Sequence, residues 1–131
     1  MAKVIETPIQ KRFSDIDIFL HVNNVSQQMY FDVGKTDYYH KVMNDEVLNG
    51  NIRVVIVSTS TDYRSQIRYS DEVRCTTTCE RLGNKSLTLY QQLLVGDRLC
   101  SESRSVMAVF DFSKQESVPM PDEWRKKLSA E

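Results

Sequence analysis

The chain predicts an α+β domain in which an antiparallel sheet of about five strands curls around one long central helix and a short C-terminal helix closes the fold. Three observations carry this. Residues 22 to 43 place apolar groups at intervals of three and four. Residues 55 to 112 alternate apolar and polar in runs broken by Gly83-Asn84 and Gly96-Asp97. No repeat, low-complexity run or linker divides the 131 residues, so 1–131 is one domain.

Val4 to Phe13 alternates weakly, with Ile5, Thr7 and Ile9 on one side, and reads as a strand that Pro8 pushes toward a sheet edge. Ser14 to His21 has neither period and is apolar for a loop, which predicts a connection packed against something and a place where function sits. Val22, Val25, Met29, Val33, Thr36, His40 and Met43 then predict one buried stripe on a helix over residues 23 to 43, with Asn23 or Asn24 as N-cap. Gly34 weakens that helix by about 1 kcal/mol relative to Ala, so a close backbone approach by a neighbour is expected there. Tyr30, Phe31, Tyr38 and Tyr39 widen the apolar surface, which predicts a wrapped helix.

Strands follow. Val55, Val57, Thr59, Thr61 and Tyr63 share one face, and a turn is expected at Tyr69-Ser70-Asp71. Val73, Cys75, Thr77 and Cys79 alternate against charged and hydroxyl residues. Leu87 to Val95 runs into Gly96-Asp97, a hairpin signal, and a last strand spans about Arg98 to Phe112. Pro119 and Pro121 end the sheet before a helix over Asp122 to Leu128.

Composition excludes several function classes. With 17 Lys and Arg against 18 Asp and Glu, the formal net charge is −1, which argues against nucleic acid and against a polybasic membrane patch. The N-terminus meets Glu6 and Pro8 before any apolar stretch, so neither a signal peptide nor a membrane span is expected, and Cys75, Cys79 and Cys100 read as reduced thiols of a cytoplasmic protein. No Gly-rich phosphate loop, GxSxG elbow or HExxH occurs. His21 and His40, the only histidines, fall at opposite ends of the helix, so no metal is expected and no cofactor is required. A chain this short buries only about two-thirds of its unfolded surface, which leaves little room for a deep cleft of its own.

The informative segment is Arg12-Phe13-Ser14-Asp15-Ile16-Asp17-Ile18-Phe19-Leu20-His21-Val22-Asn23-Asn24. Two carboxylates precede a helix start, whose free N–H groups and positive dipole end can receive a developing oxyanion. A nearby carboxylate can serve as nucleophile or as base for water, which suits acyl transfer to water; an Asp before a helix is also a common cap or turn residue.

The same segment resembles the signature of the hotdog-fold acyl-CoA thioesterases of the 4-hydroxybenzoyl-CoA thioesterase-like family. That pattern is R-F/Y-x-D-x-D-x-x-G-H-V-N-N-x-x-Y-x-x-Y-F-E. Arg12, Phe13, Asp15, Asp17, His21, Val22, Asn23, Asn24, Tyr30 and Phe31 fall in register. The likeness continues through Tyr63 to Val73 and from Val109-Phe110-Asp111 to Pro121, which spans essentially the whole chain.

The resemblance implies an acyl-CoA thioesterase that yields a free acid and CoA. Asp17 aligns with the catalytic carboxylate. Asn24 aligns with the residue whose backbone N–H polarises the thioester carbonyl. His21 and Asn23 shape the site mouth, and Leu20, Tyr30, Asp32 and Arg64 are further candidate substrate contacts. Asp32 is a second candidate base, and Asp15 is expected to hold the loop by pairing with Arg12 or accepting backbone N–H bonds. Arg64, Arg68 and Lys85 are available to CoA phosphates. The resemblance also implies a homodimer joined sheet edge to sheet edge, or a dimer of dimers, with sites between subunits. Two alternatives remain open: an acyl-carrier-protein thioesterase and a non-catalytic acyl-CoA-binding protein. The sequence departs from the pattern at Leu20 for Gly, where a positive φ would be strained, at Gln27 for Tyr, and at Gly34-Lys35 for Ala-Arg.

Overall fold

A computed structural model describes residues 2–131. The strands are β1 (Val4–Ile9), β2 (Ile52–Tyr63), β3 (Val73–Leu82), β4 (Ser86–Val95), β5 (Arg98–Asp111) and the two-residue β6 (Glu116–Ser117). The helices are α1 (Asn24–Met43) and α2 (Asp122–Ser129). All pairings are antiparallel in the order β1-β3-β4-β5-β2, with β6 on the end of β5. The curled five-stranded sheet, long helix and short terminal helix are the predicted fold.

The first strand is shorter than its expected range. It stops at Ile9, and residues 13–15 form a 3-10 turn, because Asp15 accepts the Arg12 N–H and tightens the chain there. In β2 a bulge between Ile56 and Ser58 divides the expected single face. Val55 stands opposite Ala108, whereas Thr59, Thr61 and Tyr63 stand opposite Ser105, Ser103 and Ser101 on the other side of the sheet.

The helix presents a different face from the one its spacing predicts. Val25 is 65% exposed, Met29 and Val33 are each 49% exposed, and Thr36 and His40 also face outward. Of the expected stripe only its two ends, Val22 and Met43, are buried; the buried face of the helix otherwise comprises Ser26, Gln27, Tyr30, Phe31, Gly34, Lys35, Tyr38, Tyr39 and Val42. The aromatic residues decide this, since four of the largest side chains of the helix lie on that face and bury more apolar area than the aliphatic stripe. The sheet therefore covers the helix from one side, and the aliphatic stripe stays open.

Two apolar clusters fill the interior. One holds Ile9, Val22, Tyr30, Phe31, Ile67, Val73, Cys75 and Leu93. The other gathers Tyr38, Tyr39, Met43, Leu87, Leu89, Met107 and Val109, and α2 adds Trp124 and Leu128 to it. A polar seam includes Gln91, whose Nε2 donates to Phe31 O at 2.8 Å and to Thr77 Oγ1 at 2.9 Å. Gly34 makes this contact possible, because a Cβ there would stand 2.5 Å from Cys75 Sγ, 2.9 Å from Gln91 Nε2 and 3.0 Å from Thr77 Oγ1. Burial also pushes the Cys75 thiol up to about 11, so at neutral pH it is protonated and packs as a small apolar group.

Gly34→Ala should therefore destabilise the protein by about 1–3 kcal/mol through overpacking, against the roughly 1 kcal/mol that helix propensity alone would add. Denaturant unfolding of the two proteins measures the sign directly.

Candidate active site

The loop between β1 and α1 is organised by Asp15, which is 1% exposed. Its carboxylate accepts from Arg12 N at 2.9 Å, Arg12 Nη2 at 3.0 Å, Ser26 Oγ at 3.0 Å and Tyr30 OH at 2.5 Å. Its backbone carbonyl accepts from Asn23 N at 2.9 Å and Asn23 Nδ2 at 3.0 Å. Burial pushes the Asp15 carboxyl up, but the hydrogen bonds from Tyr30, the Arg12 N–H, Ser26 and the Arg12 guanidinium outweigh it and hold the group below the usual carboxylate value. The partner phenol shifts the opposite way, because burial and the adjacent carboxylate both disfavour a charged Tyr30.

Asp17 opens a tight turn. Leu20 N donates to Asp17 O at 3.0 Å, Phe19 N donates to Asp17 Oδ1 at 2.9 Å, and Asp17 N donates to His21 O at 3.0 Å. Ile16 and Val22 pair as an antiparallel bridge behind it. The residue that closes such a turn takes a left-handed conformation, and Leu20 adopts it at φ 66. The strain expected at this position is thus present, at a cost of about 1–2 kcal/mol for a non-glycine residue.

Asn23 caps α1, its Oδ1 accepting from Ser26 N at 2.7 Å. Gln27 N bonds Asn23 O at 3.1 Å. The N–H groups of Asn24 and Val25 have no acceptor among the described residues, so the positive end of the helix is open. It opens onto a pocket of about 270 Å³ lined by Asp17, Val22, Asn23, Asn24, Gln27, Tyr63, Arg64, Ser65 and Gln66. Tyr63 is tied to the helix start through Gln28 Nε2 at 3.0 Å.

Asp17, Asn23, Asn24 and Arg64 thus come together, and the other expected site residues do not. Tyr30 is buried with its hydroxyl on Asp15, so its expected substrate contact gives way to a structural one. Asp32 sits on the open face of α1, 3.4 Å from Lys35 Nζ, beside a different groove that includes Thr7, Pro8, Val33 and His40. Leu20 and His21 lie outside the pocket lining; Leu20 is exposed and His21 pairs with Arg68 through the backbone. Arg64 already binds Glu102 at 2.5 Å and lies 3.6 Å from Asp62, so its charge is engaged. The pocket adds Gln27, Tyr63, Ser65 and Gln66. Of these, Gln27 stood out in the sequence as a departure from the motif, and Tyr63 opened the second resembling segment. Ser65 and Gln66 carried no signal. Among the described residues no three His, Cys, Asp or Glu side chains converge as a metal site.

Because the Asp15 pKa is depressed, its contribution to stability is fully present above the carboxylate's unfolded value and is lost as pH falls through the folded one. Asp15→Asn should cost about 2–4 kcal/mol at neutral pH through the weakened network. Its stability should also fall less than that of wild type on acidification, as denaturation midpoints between neutral and acidic pH will measure.

The family model of the thioesterase-like superfamily matches residues 12–128. A predicted thioesterase from Bacillus stearothermophilus is 31% identical in sequence, with a TM-score of 0.85 over 96% of this chain and 94% of that one. YsmA of Bacillus subtilis (strain 168), an uncharacterized protein, is 29% identical over 124 residues, covering 92% of this chain and 82% of its own length. A thioesterase from Thermus thermophilus, solved in complex with coenzyme A and Zn, shares the fold at a TM-score of 0.84 and 22% identity, over 95% of this chain and 91% of that one. On the match that runs from the Arg12 motif into the terminal helix, the chain belongs to the thioesterase-like superfamily and is a hotdog-fold thioester hydrolase.

Proposed function

We propose that the protein hydrolyses an acyl-CoA thioester to the free acid and CoA. The observation that carries this reading is one pocket lined by both Asp17 and Asn24, the latter in the first turn of α1 with a backbone N–H that has no acceptor among the described residues. The acyl carbonyl oxygen accepts from the N–H of Asn24, where charge develops as the carbon becomes tetrahedral. Asp17 takes a proton from the attacking water, the C–S bond breaks, and the proton passes to the departing thiolate. The Phe19 N–H bond to Asp17 Oδ1 fixes the carboxylate and leaves its second oxygen for this work. Coenzyme A in the related Thermus enzyme supports the choice of thiol carrier. Arg68, exposed on the segment that pairs with His21, has no side-chain partner among the described residues, so its charge is available to CoA phosphates where that of Arg64 is engaged.

The reading includes a homodimer. Among the described residues the outer edge of β2 has no backbone partner along its twelve residues, and Ile56 and Val57 are exposed on that strand. The opposite edge strand, β1, is short and contains Pro8, which cannot donate a hydrogen bond. β2 is thus the edge able to accept a second copy, and Tyr63 and Arg64 at its end carry the pocket to that edge.

Release of free CoA thiol from a panel of aliphatic and aromatic acyl-CoAs, with an acyl-carrier-protein thioester alongside, tests the activity. Asp17→Asn should lower turnover by at least about 100-fold; a variant as active as wild type removes Asp17 from the mechanism. Light scattering should report a dimer or a dimer of dimers, and Val57→Lys at the β2 edge should shift the protein toward a less active monomer. A wild-type monomer with full activity contradicts the shared-edge reading.

A further inference from the structure

Gln27 is 5% exposed, lines the Asp17 pocket and leaves its Oε1 without a hydrogen-bond donor. The amide orientation follows from its neighbour: Nε2 donates to Val22 O at 3.3 Å, and the reverse assignment would set two oxygens against each other. A buried acceptor with no partner destabilises a fold, and one retained in a pocket wall calls for a ligand that completes it. The other orphaned buried oxygens, on Tyr38, Gln91, Ser101 and Ser105, lie away from this pocket's lining.

We propose that Gln27 is a positioning residue of the hydrolytic step, whose Oε1 accepts a hydrogen bond from the attacking water. The inference rests on the thioester-hydrolase reading with Asp17 as base. A water activated by a single carboxylate rotates about that one bond; a second acceptor for its other hydrogen aims the oxygen lone pair at the acyl carbon. In the step, one water O–H proton passes to Asp17 while the other O–H stays bonded to Gln27. The water oxygen forms the new bond to the carbonyl carbon, the C–S bond breaks, and the thiolate recovers the proton from Asp17. Gln27 exchanges no proton. Oε1 is buried as placed, and the amide is restrained by one hydrogen bond at the long end of the normal range; the terminal torsion of a glutamine is soft, and a rotation of the amide is required to turn Oε1 toward the pocket. The N-cap bonds of Asn23 hold the helix turn that carries it.

The test compares wild type, Asp17→Asn and Gln27→Met on the best acyl-CoA of the panel. Met has a similar length and no amide; it removes the orphaned acceptor but also the 3.3 Å bond to Val22 O, two opposing effects, so the melting temperature should change little. Turnover should nevertheless fall by about 30- to 1,000-fold with KM within about threefold, the signature of an interaction made in the transition state. Unchanged kcat overturns the proposal, as does a KM rise at constant kcat, which would make Gln27 a substrate contact. If Gln27→Met does not fold, a high-resolution crystal structure of the wild-type protein decides: an ordered water bonded to both Gln27 Oε1 and the Asp17 carboxylate is expected, and its absence overturns the assignment. A wild type that hydrolyses no thioester fails the underlying reading, whereas an active wild type with an inactive Asp17→Asn and an unaffected Gln27→Met fails this inference alone.

Discussion

The architecture of the site depends on one buried carboxylate. Asp15 gathers the Arg12 backbone and guanidinium, the Ser26 hydroxyl and the Tyr30 phenol, while its own carbonyl holds Asn23. It therefore fixes the loop and the first two turns of α1 against each other, and the pocket lined by Asp17 and Asn24 lies beside both. Asp17, two residues on, is left to face the pocket because its backbone is used in a turn and its side chain in a single bond to Phe19. Two carboxylates of the same type thus differ in how many donors reach them: Asp15 is saturated within the fold, whereas Asp17 takes one backbone N–H. Leu20 shows how strongly the loop is determined: it accepts a left-handed backbone that glycine would take without strain.

The second constraint is the close approach of α1 to the sheet. Gly34 removes the side chain that would collide with Cys75, Gln91 and Thr77, and the Gln91 amide then reaches the Phe31 carbonyl in the helix. The aromatic face is drawn down on both sides of this point, into separate apolar clusters, and α2 seals one of them with Trp124 and Leu128. The aliphatic stripe of Val25, Met29 and Val33 is left open as a result. Helical spacing identified the helix and the burial of Val22 and Met43 at its ends but not the buried face between them, because periodicity marks an apolar stripe but does not weigh it against a competing aromatic one.

A chain of this size builds a shallow pocket. The one beside Asp17 encloses about 270 Å³ and is carried to the end of β2, whose other edge has no strand partner among the described residues. The helix terminus and the Asp17 turn meet at the surface there, and under the proposed function a second subunit would supply the remaining wall.

Local information was enough for the strand and helix order, the Asn23 cap, the Gly96 turn, the close approach at Gly34 and the motif that placed Asp17 beside a helix start, because each is a matter of spacing or of a residue's own backbone preference. The partners each side chain finds were decided only by the tertiary structure. Tyr30 and Asp32 sit two residues apart on one helix, yet one turns inward to Asp15 and the other outward to Lys35. Arg64 reads as a free cation until β5 brings Glu102 beside it. The orphaned oxygen of Gln27 is invisible in sequence, since an unmet hydrogen bond is defined by everything that surrounds it.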